Sequence, residues 1–237
     1  MRRWIVGALV VIVLGACGSS SKHAASSLTE AFNDYKAANP QANVTFNFAG
    51  SQALVRQIQQ GAPADVFASA DQKNMTKLVD AGLVETPRVF ARNKLEIAVA
   101  PGNPKHITSL ADLERPGVIL VLEDPSVPAG NYARQAFHEA GLPAPKPKSD
   151  ELDVKSTLAK LTSGDADAVI VYVTDVKSAG AKVQGVAIPD NDNVIATYPI
   201  AVVKASKRRP VAEAYVDEIV SGTGRQALQA RGFLPPG

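Results

Sequence analysis

The sequence has one cysteine, three histidines and few aromatic side chains (5%) in 237 residues. A single thiol cannot close an internal disulfide, so no disulfide framework holds this chain. His23, His106 and His138 lie far apart, without metal-ligand spacing, and read as structural or solvated residues. Neither a G-x-S-x-G elbow nor a G-x-x-x-x-G-K-S/T phosphate loop is present, which removes the commonest signatures of an enzyme. Asp65, Asp71, Asp165 and Asp167 are conceivable as paired acids, but their positions at a helix start and a turn favour capping roles. Charge of either sign is not in excess: 25 basic residues face 23 acidic ones, and nothing suggests a nucleic-acid surface. The one basic run, Lys204 to Arg209, reads as a solvated loop.

What is there begins with the N-terminus. Arg2 and Arg3 precede an apolar run from Trp4 to Leu14, which is roughly half of the ~20 residues needed to span a bilayer. Leu14-Gly15-Ala16-Cys17 follows, and then Gly18-Ser19-Ser20-Ser21. A basic start, a short apolar segment and small residues at the cut describe a secretory signal. The last four residues resemble a bacterial lipobox. Residues 1–17 are therefore expected to be a lipoprotein signal with Cys17 lipidated, and residues 18–23 a tether. About 220 residues remain, enough for one large α/β domain or two small lobes.

Beyond the tether, helical and strand patterns alternate. Leu28, Ala31, Phe32, Tyr35 and Ala38 recur at helical spacing, and Val44, Phe46 and Phe48 alternate as in a strand. Helices are expected near 51–60, 72–81, 130–140, 154–163 and 211–231, several of them stopped by glycine. Val118–Leu122 and Ala168–Val173 are continuous apolar runs, as buried parallel strands require. This interleaving implies mostly parallel sheets flanked by helices. The Pro101-Gly102-Asn103-Pro104 break suggests a first crossover between lobes, and Pro189–Asp192 a second. Lobe 1 is thus expected to hold 24–100 and 195–237, and lobe 2 to hold 101–194.

Several expected helix starts carry small or hydroxyl residues: Ser27 with Glu30 as a capping box, Gly50-Ser51, Val127-Pro128-Ala129-Gly130, and Asp153-Val154. Each alone is explained by capping, worth about 1 kcal/mol. Together they have another use. Helix N-termini offer unpaired N–H groups and a positive dipole end, and in open α/β sheets they gather outside the carboxyl ends of the strands. Two facing lobes would converge an all-donor site suited to a small dianion.

The segments Ala24-Ala25-Ser26-Ser27-Leu28-Thr29, Phe48-Ala49-Gly50-Ser51, Gly61-Ala62-Pro63-Ala64-Asp65-Val66-Phe67-Ala68-Ser69-Ala70-Asp71, Val127–Ala133 and Val171-Tyr172-Val173-Thr174-Asp175 resemble the periplasmic molybdate-binding proteins of ABC importers. The resemblance implies the type II periplasmic-binding fold, two α/β lobes joined by two crossing strands. It implies a non-enzymatic receptor for molybdate or tungstate, with no cofactor and no metal cation. By the same resemblance Ser27 and Ser51 supply hydroxyl and N–H donors, Ala129 and Val154 backbone N–H groups, and Tyr172 its phenol. The implied partners are a permease and an ATPase, served by a monomer anchored through Cys17 to the outer face of the cell membrane. Sulfate or another small anion is the alternative ligand.

One departure stands out. The family has an apolar strand directly before the segment matching Ala24–Ser27, whereas Gly18–His23 contains no β-branched or aromatic residue. The first strand of lobe 1 is therefore expected to be missing or degenerate, and a second alternative follows: a surface lipoprotein that has lost binding.

Overall fold

The computed structural model describes the backbone of residues 9–14, and residues 32–33, 35–37, 40 and 43–237. Cys17, the tether and Ser27 lie outside the described residues. Ten strands fall into two five-stranded sheets among these residues. The first is built from β1 (Leu9–Leu14), β2 (Val44–Ala49), β3 (Val66–Ala68), β4 (Arg88–Asn93) and β10 (Ala196–Val202), in the order β2-β1-β3-β10-β4. The second combines β5 (Leu95–Val99), β6 (Leu120–Glu123), β7 (Ser149–Glu151), β8 (Ala168–Tyr172) and β9 (Gln184–Ala187), in the order β7-β6-β8-β5-β9.

The place expected to be vacant in the first sheet is occupied by the apolar run of the N-terminal segment. Strand β1 pairs in parallel with β2 from Leu9↔Val44 to Leu14↔Ala49, and with β3 at Val11↔Val66 and Ile12↔Phe67. A β-branched, uncharged run is what a central parallel strand needs, and this is the nearest such run upstream of β2. The same residues thus have the composition of an export signal and the position of a core strand.

The crossovers follow sheet membership. Strand β5 belongs to the second sheet, so the chain leaves the first one between Asn93 and Leu95, ahead of the Pro101–Pro104 break where the sequence placed the change. It returns between Ala187 and Ala196, over the turn at Pro189–Asp192. The early crossover has a local cause. Asn93 and Asn193 both turn their amide side chains onto main-chain groups of residues 94 and 95, tying the two crossing segments together.

Helices α1 (Ser51–Gln59) and α2 (Gln72–Asp80) cover one face of the first sheet, where Leu54, Met75 and Leu78 are fully buried against Phe67. Burying each contributes about 1.5–3 kcal/mol. Helices α6 (Arg209–Ser221) and α7 (Thr223–Ala230) close the other face, with Tyr215, Ile219 and Leu228 turned inward. In the second lobe, α3 (Pro128–Glu139) packs Ala133, Ala136 and Phe137 on one face of the sheet. Helix α4 (Val154–Ser163) packs Leu158 and Leu161 on the other, beside α5 (Val173–Ala179). Gly164 ends α4 at φ 85°, a left-handed conformation that favours glycine.

The two lobes share one apolar core: Phe90, Tyr198 and Ile200 of the first lie in the same cluster as Ile97, Leu122 and Phe137 of the second. The two arginines of the basic run form ion pairs within the chain. Arg208 pairs with the buried Asp65, and Arg209 with Glu85 and Glu213. Among the described residues no helix is long and apolar enough to cross a membrane.

Candidate functional site

The carboxyl ends of β2 and β8 run almost directly into a helix, that of β6 reaches one through a short turn, and the sequence dictates how. Strand β2 ends at Ala49, Gly50 serves as the N-cap, and Ser51 opens α1. Because the cap is Gly50, the Ser51 hydroxyl is released from capping. It accepts a hydrogen bond from the Ala70 N–H at 3.2 Å, across to the loop after β3, and is fully buried. An oxygen that accepts in this way still has its own proton to donate.

Strand β6 turns at Asp124 into α3, whose N1 residue is Pro128. Proline at N1 gives up no hydrogen bond and presets the backbone for the helix. The N–H groups of Ala129 and Gly130 then belong to the first turn, which has no partner within the helix. Val154 opens α4 in the same way, but behind an acidic cap: the Asp153 carboxylate accepts from Ser156 N at 2.8 Å and Ser156 Oγ at 3.1 Å.

Tyr172 closes β8 and caps α5, its N–H donating to Asp175 Oδ2 at 3.3 Å. Its ring stands edge-on to Tyr198 with centroids 5.8 Å apart. The Tyr172 hydroxyl is buried without a hydrogen-bond partner among the described residues, and the Tyr198 hydroxyl is its polar neighbour. Burial first, then the surrounding oxygens of Tyr198, Glu123, Tyr132 and Asp175, push the Tyr172 phenol well above its ordinary pKa, so it is a donor at any physiological pH. Tyr198 itself receives the Asn93 side-chain amide at 3.4 Å, and Asn93 also donates to Thr174 at 2.7 Å.

Sequence reasoning passed over two side chains. Tyr132, on α3, reaches across to the first lobe: its hydroxyl meets the backbone of Thr197, and burial and the Asp71 carboxylate raise its pKa. Glu123 is the last residue of β6 and 1% exposed. Neither of its carboxyl oxygens has a partner among the described residues. The available signal was its place at the end of an apolar strand, where an acid is costly unless it has work to do. Asp71, by contrast, caps α2 as expected, accepting from Asn74 N at 2.8 Å.

Of the residues singled out from sequence, Ala129, Val154 and Tyr172 lie at strand-to-helix junctions of the second sheet, and Ser51 at the corresponding junction of the first. No nucleophile–base pair accompanies them, and no cluster of metal-ligating side chains occurs among the described residues. A set of hydroxyl and N–H donors at helix starts suits an acceptor.

The family model for bacterial extracellular solute-binding proteins matches residues 14–234. The chain belongs to that family. Its members are transport components that carry a solute outside the cytoplasm, and its structural neighbours share the two-lobed type II periplasmic-binding fold. The molybdate-binding protein ModA of Mycobacterium tuberculosis is 41% identical, covering 99% of this chain and 100% of its own length. That comparison runs over 261 positions, more than the 237 residues here, so the relative carries positions without a counterpart in this chain. ModA of Escherichia coli is 34% identical, with 91% of this chain and 89% of its own covered. The solved periplasmic molybdate-binding protein of Azotobacter vinelandii superposes with a TM-score of 0.77 at 19% identity, over 97% of this chain and all of its own.

Proposed function

We propose that this chain captures molybdate, or its near twin tungstate, between the two lobes and presents it to the permease and ATPase of an ABC importer. The observation that carries this reading is the buried, unpartnered Tyr172 hydroxyl at a strand end of the sheet whose helices start at Pro128 and Val154, with the Ser51 hydroxyl at the corresponding junction of the other lobe. A fully deprotonated tetrahedral dianion has acceptors only and satisfies all of these donors at once. Each charge-assisted bond contributes roughly 1.5–3 kcal/mol, so four or five suffice for tight binding without an arginine or lysine. Ser27 would add a further donor from the first lobe. Closure around the anion follows from its contacts with both halves, which favour the closed form. The receptor acts as an exported monomer; anchoring at the outer face of the cell membrane through a lipidated Cys17 would require cleavage that removes β1, so the anchored form is an alternative to the form with a complete first sheet.

Calorimetric titration against molybdate, tungstate, sulfate and phosphate tests the assignment. Saturable heat is expected with the first two, and none with phosphate. Binding of sulfate alone would move the assignment to another anion, while silence with all four, and no thermal stabilisation, would remove it. Ser51→Ala is expected to weaken molybdate binding by about tenfold to a hundredfold through loss of one charge-assisted bond. Its melting temperature should fall by only roughly 2–4 °C, since the Ala70 N–H loses one acceptor. Unchanged affinity would mean the hydroxyl serves Ala70 alone.

A further inference from the structure

Three acidic side chains from three different elements of the second lobe lie within electrostatic range of one another. Glu123 comes from the end of β6, Asp153 from the cap of α4, and Asp175 from α5; the Tyr172 hydroxyl from β8 faces the same group. Two of the acids are committed as acceptors, Asp153 to Ser156 and Asp175 to the Tyr172 N–H. Glu123 has no donor to stabilise a charge among the described residues. Arg134 of α3, a nearby cation, is turned elsewhere: Nη1 donates to the main-chain carbonyls of Glu123 and Gly130, and Nη2 to Asp150. A buried carboxylate without a donor, next to two other acids, is a costly charge, and a dianion arriving there would make it worse.

We infer that Glu123 serves the site as a neutral carboxylic acid whose O–H donates to the bound oxyanion, so that capture of the dianion requires this carboxyl to hold its proton. The inference rests on the oxyanion reading above and extends it to a residue and a proton that the all-donor scheme lacked. Burial, then Asp175 and Asp153, push the Glu123 carboxyl well above the usual carboxylate range, in keeping with this geometry. The acid oxygens left without a partner are explained at once: the acceptor for the O–H is the ligand. The sign of the linkage is fixed. A neighbouring dianion raises the carboxyl's pKa further, so affinity is greatest where the acid is protonated and falls, toward tenfold per pH unit, once pH passes the pKa of the unliganded group.

Glu123→Gln and Glu123→Ala separate a donor from a bystander. The amide keeps an N–H to give and is expected to bind molybdate within about threefold of the parent chain, with no pH dependence between about pH 6 and 10. Alanine removes the donor and is expected to bind about tenfold to a hundredfold more weakly. Infrared difference spectra supply a readout that structural damage alone does not produce. A protonated-carboxyl band should be present in the parent chain at neutral pH, shift when molybdate is added, and vanish in Glu123→Gln. Alanine binding as tightly as the parent, glutamine binding worse than alanine, or a carboxyl band indifferent to molybdate would each overturn the inference and leave the receptor assignment standing. Failure of the folded parent chain to bind any oxyanion would overturn both.

Discussion

Deleting residues 1–16 is expected to cost the first lobe its cooperative fold while the second lobe survives. Strand β1 is the only partner of β2 among the described residues, paired with it over six residues, and it also joins β2 to β3. At about 1 kcal/mol net for each ladder hydrogen bond, its loss removes on the order of 6–8 kcal/mol. That is comparable to the whole net stability of an ordinary domain, about 5–15 kcal/mol. Molybdate cannot restore it: a ligand at 100 times its dissociation constant returns only about 2.7 kcal/mol. The truncated chain should melt in two steps, and limited proteolysis should cut within residues 43–93 while sparing 95–188. One cooperative transition at the parent temperature would show that β1 is dispensable. The result matters for the route of export. A chain cut before Cys17 is this truncated chain, so lipid anchoring and a complete first sheet exclude each other in one molecule unless another segment enters between β2 and β3.

The second large effect is expected at Gly130. A Cβ built there would stand 2.3 Å from the carbonyl oxygen of Glu123 and 2.4 Å from that of Asp124, both main-chain atoms that cannot rotate away. Glycine is what lets the first turn of α3 lie directly on the end of β6, and Arg134 braces the same contact by donating to both the Glu123 and Gly130 carbonyls. Gly130→Ala must push helix and strand apart, at about 3 kcal/mol or more. For a chain of this size that corresponds to a melting temperature lower by roughly 6–12 °C. The displacement also carries the Ala129 N–H away from the site, so molybdate affinity should fall at least tenfold. A variant that melts within about 2 °C of the parent would mean that the junction relaxes without cost.

The pH dependence of the ligand-free protein gives an independent check on the same corner. Glu123 has a raised pKa in the folded chain, so the folded state holds more protons than the unfolded one above the usual carboxylate range. Stability contributed by the protonated acid is present at low pH and is lost as pH rises through the folded pKa. Glu123→Gln should therefore gain on the parent in alkaline melts and lose that advantage in acidic ones; parallel curves would place the titration elsewhere.

Much of this molecule was legible without coordinates. The alternation of strand and helix, the runs that became β6 and β8, and the helix starts at Ser51, Pro128 and Val154 depend on local chemistry: apolar continuity, a glycine or aspartate cap, a proline at N1. Such signals are carried by neighbours in the chain and need no tertiary context. The first crossover was misplaced for the complementary reason. Pro101–Pro104 is a stronger local break than Lys94, yet which sheet β5 joins depends on its antiparallel pairing with β8 and β9, far along the chain.

The apolar segment at the N-terminus shows the division most sharply. By composition, residues 9–14 are a signal, and no periodicity within them says otherwise. Only the vacancy between β2 and β3, made by residues 44–49 and 66–68, turns the same six residues into a strand. Glu123 repeats the lesson on the scale of one proton. In sequence it is an acid before an Asp-Pro turn, whereas its charge state is set by Asp153, Asp175 and Tyr172, which the fold alone brings to it. Local chemistry determined which residues could donate; long-range packing decided which strand completes the sheet and which carboxyl must stay neutral.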